Sequence, residues 1–289
     1  MKKLIFGICL LMWMTSCVNG KKHADVQEAQ TELQDSVIAA DTLCTYEPTE
    51  PELPAEQLVP VAADESFADF LYNFALNEKL QIQRIKFPLP YYMDNKKDTI
   101  HKEHWKHDPL FSHEEFYTML FDVLEDSEKE KDTTLTSVRI ERIELKSKTM
   151  KRYYFERIKG LWTLEAIDDA HLPEEQKKGE DFYEFYERFA NDSLFQAERV
   201  STPLPFVAPD PEDDFQILET TLGKEQWFTF QPKLPNEYLT NINYGQRLRK
   251  DSKSRIIELR GFGNGFNNAL FFRSINGIWK LTRFEDFSN

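Results

Sequence analysis

The residues best suited to metal chemistry are the histidines of one short segment. Four of the six histidines lie between residues 101 and 113, and His101, His104 and His107 recur every third residue. Imidazole groups are common ligands of zinc and other transition metals. Pro109 interrupts any helix that would present the three rings on one face. These histidines are therefore weak candidate metal ligands, with a solvated polar loop as the alternative.

Two arginines and two tryptophans are the candidate ligand-binding residues. Arg84 and Arg199 are 115 residues apart and lie in segments of similar sequence. Trp105 and Trp227 are 122 residues apart and lie in a second pair of similar segments. A guanidinium and an indole in a concave cavity can hold an anionic or aromatic ligand. The structural alternative pairs each arginine with a carboxylate and packs each tryptophan under a helix.

Other patterns give weaker signals for catalysis. The pairs Asp168-Asp169 and Glu285-Asp286 suit acid–base work, but solvated strand ends are the alternative. The glycine-rich stretch Gly261–Gly265 lacks the Lys-Ser/Thr pair of a phosphate loop, which favours a wide hairpin loop. The sequence has no serine-nucleophile elbow, CxxC pair or HExxH motif. We therefore predict no catalytic residue and no cofactor.

The net charge limits the classes of partner. The chain carries a formal charge of −14 at pH 7. A strongly acidic surface repels phosphates, which argues against nucleic acid and against docking on anionic lipid. Cations or basic proteins would suit such a surface, although solubility alone also explains the charge.

Internal repetition indicates the elements that position these residues. Three phenylalanines recur at helical spacing in each half of the chain, which predicts one amphipathic helix per half. The same order then continues through Pro-Leu-Pro and a closing Gly-(Leu/Ile)-Trp segment in both halves. The matching phenylalanines are Phe67, Phe70 and Phe74 in the first half and Phe182, Phe185 and Phe189 in the second.

The middle of each half predicts a second helix and then strands. Ser112 and Glu115 have the spacing of a capping box, which would open a helix with Phe116, Leu120, Val123 and Leu124 inward. Apolar alternation changes parity near residue 142, which suggests a bulge or break in a strand. Hairpins are expected at Lys159-Gly160 and Asn276-Gly277. Helices followed by an antiparallel meander indicate an α+β fold, with helices packed on one sheet face.

The first 17 residues have the features of an export signal. Lys2 and Lys3 precede the apolar run Leu4–Met14, which is shorter than the ~20 residues that span a bilayer. The sequence Met14-Thr15-Ser16-Cys17 resembles a bacterial lipobox, which implies that Cys17 becomes the lipidated first residue. An ordinary secretory signal is the alternative.

The predicted domain organisation has five parts. The segment after the signal is acidic and proline-containing and has one aromatic residue, Tyr46, so it cannot bury enough apolar surface to fold alone. The parts are a signal peptide at 1–17, a disordered tether at 18–62, a first α+β repeat at 63–171, a linker at 172–179 and a second repeat at 180–289.

This combination resembles uncharacterised Bacteroidetes lipoproteins with tandem domains of the nuclear-transport-factor-two-like (NTF2-like) cone fold. The resemblance rests on the lipobox-like start, the acidic tether, the Phe-rich helix before Pro-Leu-Pro, and the closing Ile-Asn-Gly-Ile-Trp-Lys-Leu hairpin. It implies a curved sheet around a cavity, and says little about activity because this fold hosts many functions.

The resulting functional hypothesis is a non-catalytic lipoprotein of the cell envelope that binds a ligand or a protein partner. We expect attachment to the outer membrane, facing the periplasm. One alternative is a hydrolase or isomerase that uses a cone-shaped cavity. A second alternative is a metal-binding envelope protein that uses the His101–His113 loop.

Overall fold

The computed structural model describes residues 65–94, 96–172 and 179–289. The predicted signal peptide, the anchor Cys17, the tether and most of the linker lie outside this range. Within it, every helix is too short or too polar to cross a bilayer.

Each repeat begins with two short helices that share a capping residue. Ser66 and Asp181 cap the first helices by accepting the backbone N–H of Asp69 at 3.1 Å and of Glu184 at 2.8 Å. Asn77 and Asp192 then cap the second helices in the same way. The helices are α1 (Phe67–Leu76), α2 (Glu78–Gln83), α3 (Phe182–Asn191), α4 (Ser193–Arg199) and α5 (Lys224–Phe230), with 3₁₀ helices at Lys102–His104 and Leu124–Lys131.

Twelve strands among the described residues form two six-stranded sheets. The strands are β1 (Leu89–Met93), β2 (Lys96–Ile100), β3 (Phe116–Phe121), β4 (Ser137–Glu144), β5 (Thr149–Ile158), β6 (Leu161–His171), β7 (Leu204–Asp210), β8 (Asp213–Leu222), β9 (Tyr238–Asn243), β10 (Ser254–Gly261), β11 (Asn267–Ile275) and β12 (Ile278–Asp286). One sheet has the order β2-β1-β6-β5-β4-β9 and the other β8-β7-β12-β11-β10-β3. The two orders match position by position.

The repeats exchange one strand with each other. β9, from the second repeat, pairs with β4 of the first repeat, and β3 pairs with β10 of the second. Cutting the chain at the predicted linker 172–179 would therefore divide both sheets. The boundaries 63–171 and 180–289 remain a prediction about where the sequence repeats begin and end. Each sheet contains strands from both of these segments.

The predicted second helix is wrong, because residues 116–121 form β3. The exchanged strand is buried on both faces: Leu120 packs in the core of the second repeat, and Met119 and Phe121 pack in the core of the first. Apolar residues on both faces of a strand also satisfy helical spacing, so the sequence pattern predicts a helix here. Val123 and Leu124, predicted to face inward, are both 47% exposed.

In β4, the apolar residues change from one face of the strand to the other because this strand is also buried on both faces. β4 pairs with β5 in continuous register, so the predicted bulge is absent from this strand. Val138 and Ile140 face the core of the first repeat, whereas Ile143 on the opposite face packs in the core of the second. The register shifts occur instead in the β5–β6, β11–β12 and β7–β8 pairs, at Tyr154/Phe155, Phe271/Phe272 and Pro209/Asp210.

The sheets are mixed, which differs from the purely antiparallel meander that the sequence predicts. β1 runs parallel to β6, and β7 runs parallel to β12. The remaining strand pairs are antiparallel. The predicted hairpin turns are confirmed: Lys159-Gly160 and Asn276-Gly277 all have positive φ, as a type I′ turn requires.

Each repeat packs its first helix on its sheet through equivalent aromatic residues. Phe74 is 1% exposed and Phe189 is 0% exposed. Trp162 and Trp279 lie under the two helices, 5.0 Å from Phe67 and Phe182 respectively. The α+β fold with two tandem helix-on-sheet repeats is therefore confirmed.

Candidate ligand-binding site at the repeat junction

The two predicted ligand-binding arginines make the same contacts in the two repeats. Arg84 pairs with Glu65 at 3.2 Å and donates to the carbonyl of Trp162 at 3.1 Å. Arg199 pairs with Glu180 at 2.8 Å and donates to a carbonyl on β12 at 3.2 Å. These are the contacts that the structural alternative expects, because they tie the N-terminus of the first helix to the final strand. A ligand role for either arginine stays a prediction.

The two predicted tryptophans lie in different surroundings. Trp105 is half-buried and its indole N–H donates to Gln81 at 2.9 Å. Trp227 is completely buried in α5 against Phe284. Its indole Nε1 has no hydrogen-bond partner among the described residues. The structure therefore does not give the two tryptophans a common site.

The predicted histidine site does not assemble into a set of ligands. The rings of His101 and His104 are 6.5 Å apart, centre to centre. His107 is half-buried, and its Nε2 lacks a partner in the described part of the chain. Among the described residues, no three His, Cys, Asp or Glu side chains come together as metal ligands.

Three polar residues, Gln81, Asp108 and Tyr153, form a hydrogen-bonded cluster on the helix-facing side of the sheet in the first repeat. Tyr153, buried on the helix-facing side of β5, donates its hydroxyl to Asp108 at 2.6 Å. Gln81 is fully buried and bonds both the N–H and the C=O of Asp108, at 2.9 and 2.8 Å. In the second repeat, Trp227 and Phe284 fill the equivalent side of the sheet. These groups connect loops and helices to the sheet through hydrogen bonds and ring contacts.

The remaining sequence candidates have local partners. Asp168 pairs with Arg152, and Glu285 pairs with Arg283 at 2.5 Å. The stretch Gly261–Gly265 joins β10 to β11, which confirms the predicted hairpin loop. The side chain of Asn264 in this loop donates to the carbonyl of Glu115 at 2.7 Å, so the loop contacts the residue directly before β3.

The exchanged strands meet at a pair of buried threonines. The hydroxyl of Thr118 donates to the carbonyl of Thr240 at 2.6 Å, and the hydroxyl of Thr240 donates to the carbonyl of Thr118 at 3.0 Å. The next residue of β9, Asn241, accepts the N–H of Leu120 at 3.0 Å and donates to buried Glu141 at 2.7 Å. These hydrogen bonds connect β3 to β9 where the two repeats join. We call the buried surface of Thr118 and Thr240 the floor.

A cavity of about 370 Å³ opens above this floor. Its floor is buried, its walls are half-buried aromatic and aliphatic side chains, and its rim is exposed and mainly acidic. The floor is Thr118 and Thr240; the walls are Phe116, Tyr117, Leu234, Pro235 and Tyr238; the rim is Glu114, Glu115, Lys233, Asn236 and Glu237. With three carboxylates and one ammonium, the rim favours a positively charged group.

Tyr238 is the most strongly perturbed group of the wall. Its hydroxyl donates to Glu114 at 2.7 Å, and the guanidinium of Arg142 lies 3.7 Å from its ring centre. Burial raises the pKa of Tyr238 to about 12, and the hydrogen bond to Glu114 adds to the rise. Tyr238 is neutral at physiological pH, as a tyrosine is at its usual pKa, and the contacts with Glu114 and Arg142 hold its hydroxyl and ring in place.

A neighbouring cavity of about 530 Å³ shares Tyr117 with the first. Its charged residues are paired with one another, since Arg260 bonds Glu130 at 2.5 Å and Glu258 at 2.6 Å. Burial raises the pKa of Glu258, and the adjacent Arg260 opposes that rise. By contrast, Glu115 and Glu237 on the rim of the first cavity make no side-chain ion pair with another described residue. Their charge is available to a ligand.

Sequence reasoning missed this site because its two halves are far apart in the chain. Glu115, Phe116 and Thr118 recur 122 residues later as Glu237, Tyr238 and Thr240. That repetition was visible, but it indicates a shared fold. Only the strand exchange brings the two copies of the pattern face to face.

Comparisons with known proteins agree with this architecture. The model of the family described as a domain of unknown function, DUF4348, matches residues 47–286. A crystal structure described as an NTF2-like protein from Bacteroides fragilis NCTC 9343 matches with a TM-score of 0.77 and 51% sequence identity, covering 80% of this chain and 99% of that chain. No curated protein matches the chain.

Proposed function

The chain belongs to the DUF4348 family and has the NTF2-like fold, and on this premise we propose that it is a non-catalytic, lipid-anchored cell-envelope protein that binds a cationic ligand at the repeat junction. The observation that carries the binding proposal is the cavity above Thr118 and Thr240, with its aromatic walls and acidic rim.

The layers of this cavity define the class of ligand. Half-buried Phe116, Tyr117 and Tyr238 each have one ring face against another group, and their remaining apolar surface lines the cavity, which suits the body of an amine or of a basic side chain. Glu115 and Glu237 at the rim would lie near the charged end. The net charge of −14 adds long-range attraction for cations. An arginine or lysine side chain of a partner protein and a free aromatic amine share this chemistry.

The envelope location rests on the N-terminal sequence. Lys2 and Lys3, the short apolar run and Met14-Thr15-Ser16-Cys17 support export followed by lipidation at Cys17. The anchor would place the two repeats outside the cytoplasm, on the periplasmic face of the outer membrane. A long acidic tether at 18–62 would keep them clear of the lipid surface.

Calorimetric titration with matched probes tests the binding proposal. Tryptamine carries an ammonium group on an aromatic body, and N-acetyltryptamine has the same body without the charge. We expect tryptamine to bind and N-acetyltryptamine to bind at least tenfold more weakly. Equal affinities, or no binding of tryptamine, would overturn the proposal.

Rim variants locate the interaction. A rim carboxylate near a cation contributes about 1 kcal/mol in water, so Glu115→Gln and Glu237→Gln should each weaken tryptamine binding about fivefold. Glu103→Gln, an exposed carboxylate of the 3₁₀ helix Lys102–His104, is the matched control and should change nothing.

A further inference from the structure

We propose that β8 is a docking edge for β8 of a second copy of this chain, so that two molecules join their sheets into a closed dimer. This inference is independent of the junction cavity. It rests on the difference between β2 and β8, which occupy equivalent edges of the two described sheets; the other two edge strands, β3 and β9, meet each other at Thr118 and Thr240.

β8 presents an open edge with apolar side chains on both faces. β8 has ten residues and pairs only with β7 among the described strands; the register is continuous over Ile217–Leu222 and shifts between Pro209 and Asp210 of β7. Ile217 is 60% exposed and Leu218 is 40% exposed, and consecutive residues of a strand point to opposite faces. Residues 216–221 are all exposed. A long edge with unpaired backbone groups and exposed apolar residues is a template for another strand.

β2, the equivalent edge, carries the features that prevent pairing. It has five residues, and Lys96, Lys97 and Asp98 are exposed. Short length and charged side chains, lysine especially, are the usual protection of edge strands. Of these two equivalent edges, β8 is therefore open to pairing and β2 is protected. Pairing through identical edges closes after two copies, whereas two adhesive edges would allow fibres to grow.

The sequence of β8 is compatible with pairing to itself. A twofold axis perpendicular to the sheet makes the strands antiparallel and sets side chains of the same face opposite each other. With the axis at Leu218, Leu218 faces its own copy, Ile217 faces Glu219, and Gln216 faces Thr220. With the axis at Ile217, Ile217 faces its own copy and Leu218 faces Gln216. Neither register sets two carboxylates directly opposite each other, and the axis at Leu218 makes the two copies of Glu219 diagonal neighbours on one face.

The net charge sets the expected salt dependence. Each copy carries −14, so two copies repel each other at long range, and salt screens this repulsion over about 10 Å at 0.1 M. The paired strands themselves form through backbone hydrogen bonds and apolar contact, which salt leaves largely intact. Dimerisation should therefore strengthen as salt rises from low to physiological concentration.

Sedimentation velocity of the full chain in density-matched detergent is the test. We expect a dimer that becomes tighter with salt, and we expect Ile217→Lys to be monomeric. Thr99→Lys on β2 is the matched edge control and should remain dimeric. A monomeric wild-type chain at 100 μM and physiological salt would overturn the proposal, as would a dimer that tolerates Ile217→Lys.

Cysteine cross-linking checks the geometry separately. Opposed residues of antiparallel strands have Cα atoms about 4.5–5.5 Å apart, within the range for a disulfide. In a Cys44→Ser background, either Ile217→Cys or Leu218→Cys should give a disulfide-linked dimer under mild oxidation, whereas Thr99→Cys should not. If neither β8 variant cross-links more than Thr99→Cys, the pairing is wrong.

Discussion

Thr118 and Thr240 bond each other reciprocally where the exchanged strands cross. The backbone N–H of Thr118 donates to the hydroxyl of Thr240 at 2.6 Å, and the N–H of Thr240 donates to the hydroxyl of Thr118 at 2.7 Å. The residues are 122 positions apart and are 2% and 4% exposed. Each therefore satisfies a buried amide of the other repeat, which fixes the floor of the candidate site.

Replacing either threonine with valine should destabilise the protein. Valine has a similar shape but cannot accept the amide N–H, and a buried donor without a partner costs about 1–3 kcal/mol. Thr118→Val and Thr240→Val should each lower the free energy of unfolding by this amount, measured with denaturant. The two variants remove different bonds and share only the 3.2 Å contact between the hydroxyls, so the double variant should lose close to the sum of the single losses. Thr99→Val on exposed β2 is the control, and equal effects at all three positions would contradict the account.

Removing one partner of the buried ion pair beside the crossing should be strongly destabilising, because the other charge would remain buried. Asp122 lies 3.3 Å from Arg255, and both side chains are 5% exposed. Asp122 also accepts the backbone N–H of Arg249 at 2.7 Å. Asp122→Ala would leave the Arg255 charge buried without its partner, which costs about 3–5 kcal/mol. Asp126→Ala, where the aspartate pairs with Lys129 nearer the surface, should cost under about 1 kcal/mol. A similar loss for both variants in thermal unfolding would disprove the distinction.

Tyr238 should make stability fall at high pH. Its pKa is about 12 in the folded chain, above the usual value of 10.0, so the unfolded chain loses this proton first. The contribution is complete below pH 10 and is lost as the pH rises towards 12. Tyr238→Phe should therefore flatten the decline of unfolding free energy across this window. An unchanged slope would show that the hydroxyl is not held as described.

The same tyrosine should respond to its carboxylate partner. Glu114→Gln removes the negative charge that the hydroxyl of Tyr238 faces at 2.7 Å, and should lower the pKa of Tyr238. Burial, the larger cause, remains, so the pKa should stay above the usual value. Carbon-13 NMR of labelled tyrosine, assigned with Tyr238→Phe, measures the shift. A higher pKa in Glu114→Gln would contradict the contact.

Cys17 should decide where the protein resides. If it is the lipidated residue, Cys17→Ala should move the protein from the membrane fraction to the soluble envelope fraction. Cys44→Ser, in the predicted tether, should leave the protein with the membranes. Membrane partitioning of Cys17→Ala would disprove the lipid anchor.

The sequence predicted what depends on local patterns. Phe67, Phe70 and Phe74 lie on one face of α1, because three- and four-residue spacing decides which side of a helix is buried. Asn276-Gly277 forms the hairpin because both turn residues tolerate positive φ. The repeat was visible because both halves need the same aromatic core.

The exchanged strand could not be predicted from these patterns. Residues 116–121 are apolar on both faces because they separate two cores, and this removes the alternation that distinguishes a strand from a helix. The pairing partner of β3 is more than 130 residues away on β10. The cavity is formed only when β3 and β9 come together, and so no local sequence motif predicts it.

Chemical-shift mapping of the full chain titrated with tryptamine tests the central claim most directly. We expect the largest amide shifts in residues 114–118 and 233–240, on both exchanged segments at once, and we expect N-acetyltryptamine to shift these amides only at concentrations at least tenfold higher. Shifts confined to one repeat, or centred on Arg84 and Trp105 beneath the first sheet, would contradict a binding site at the junction.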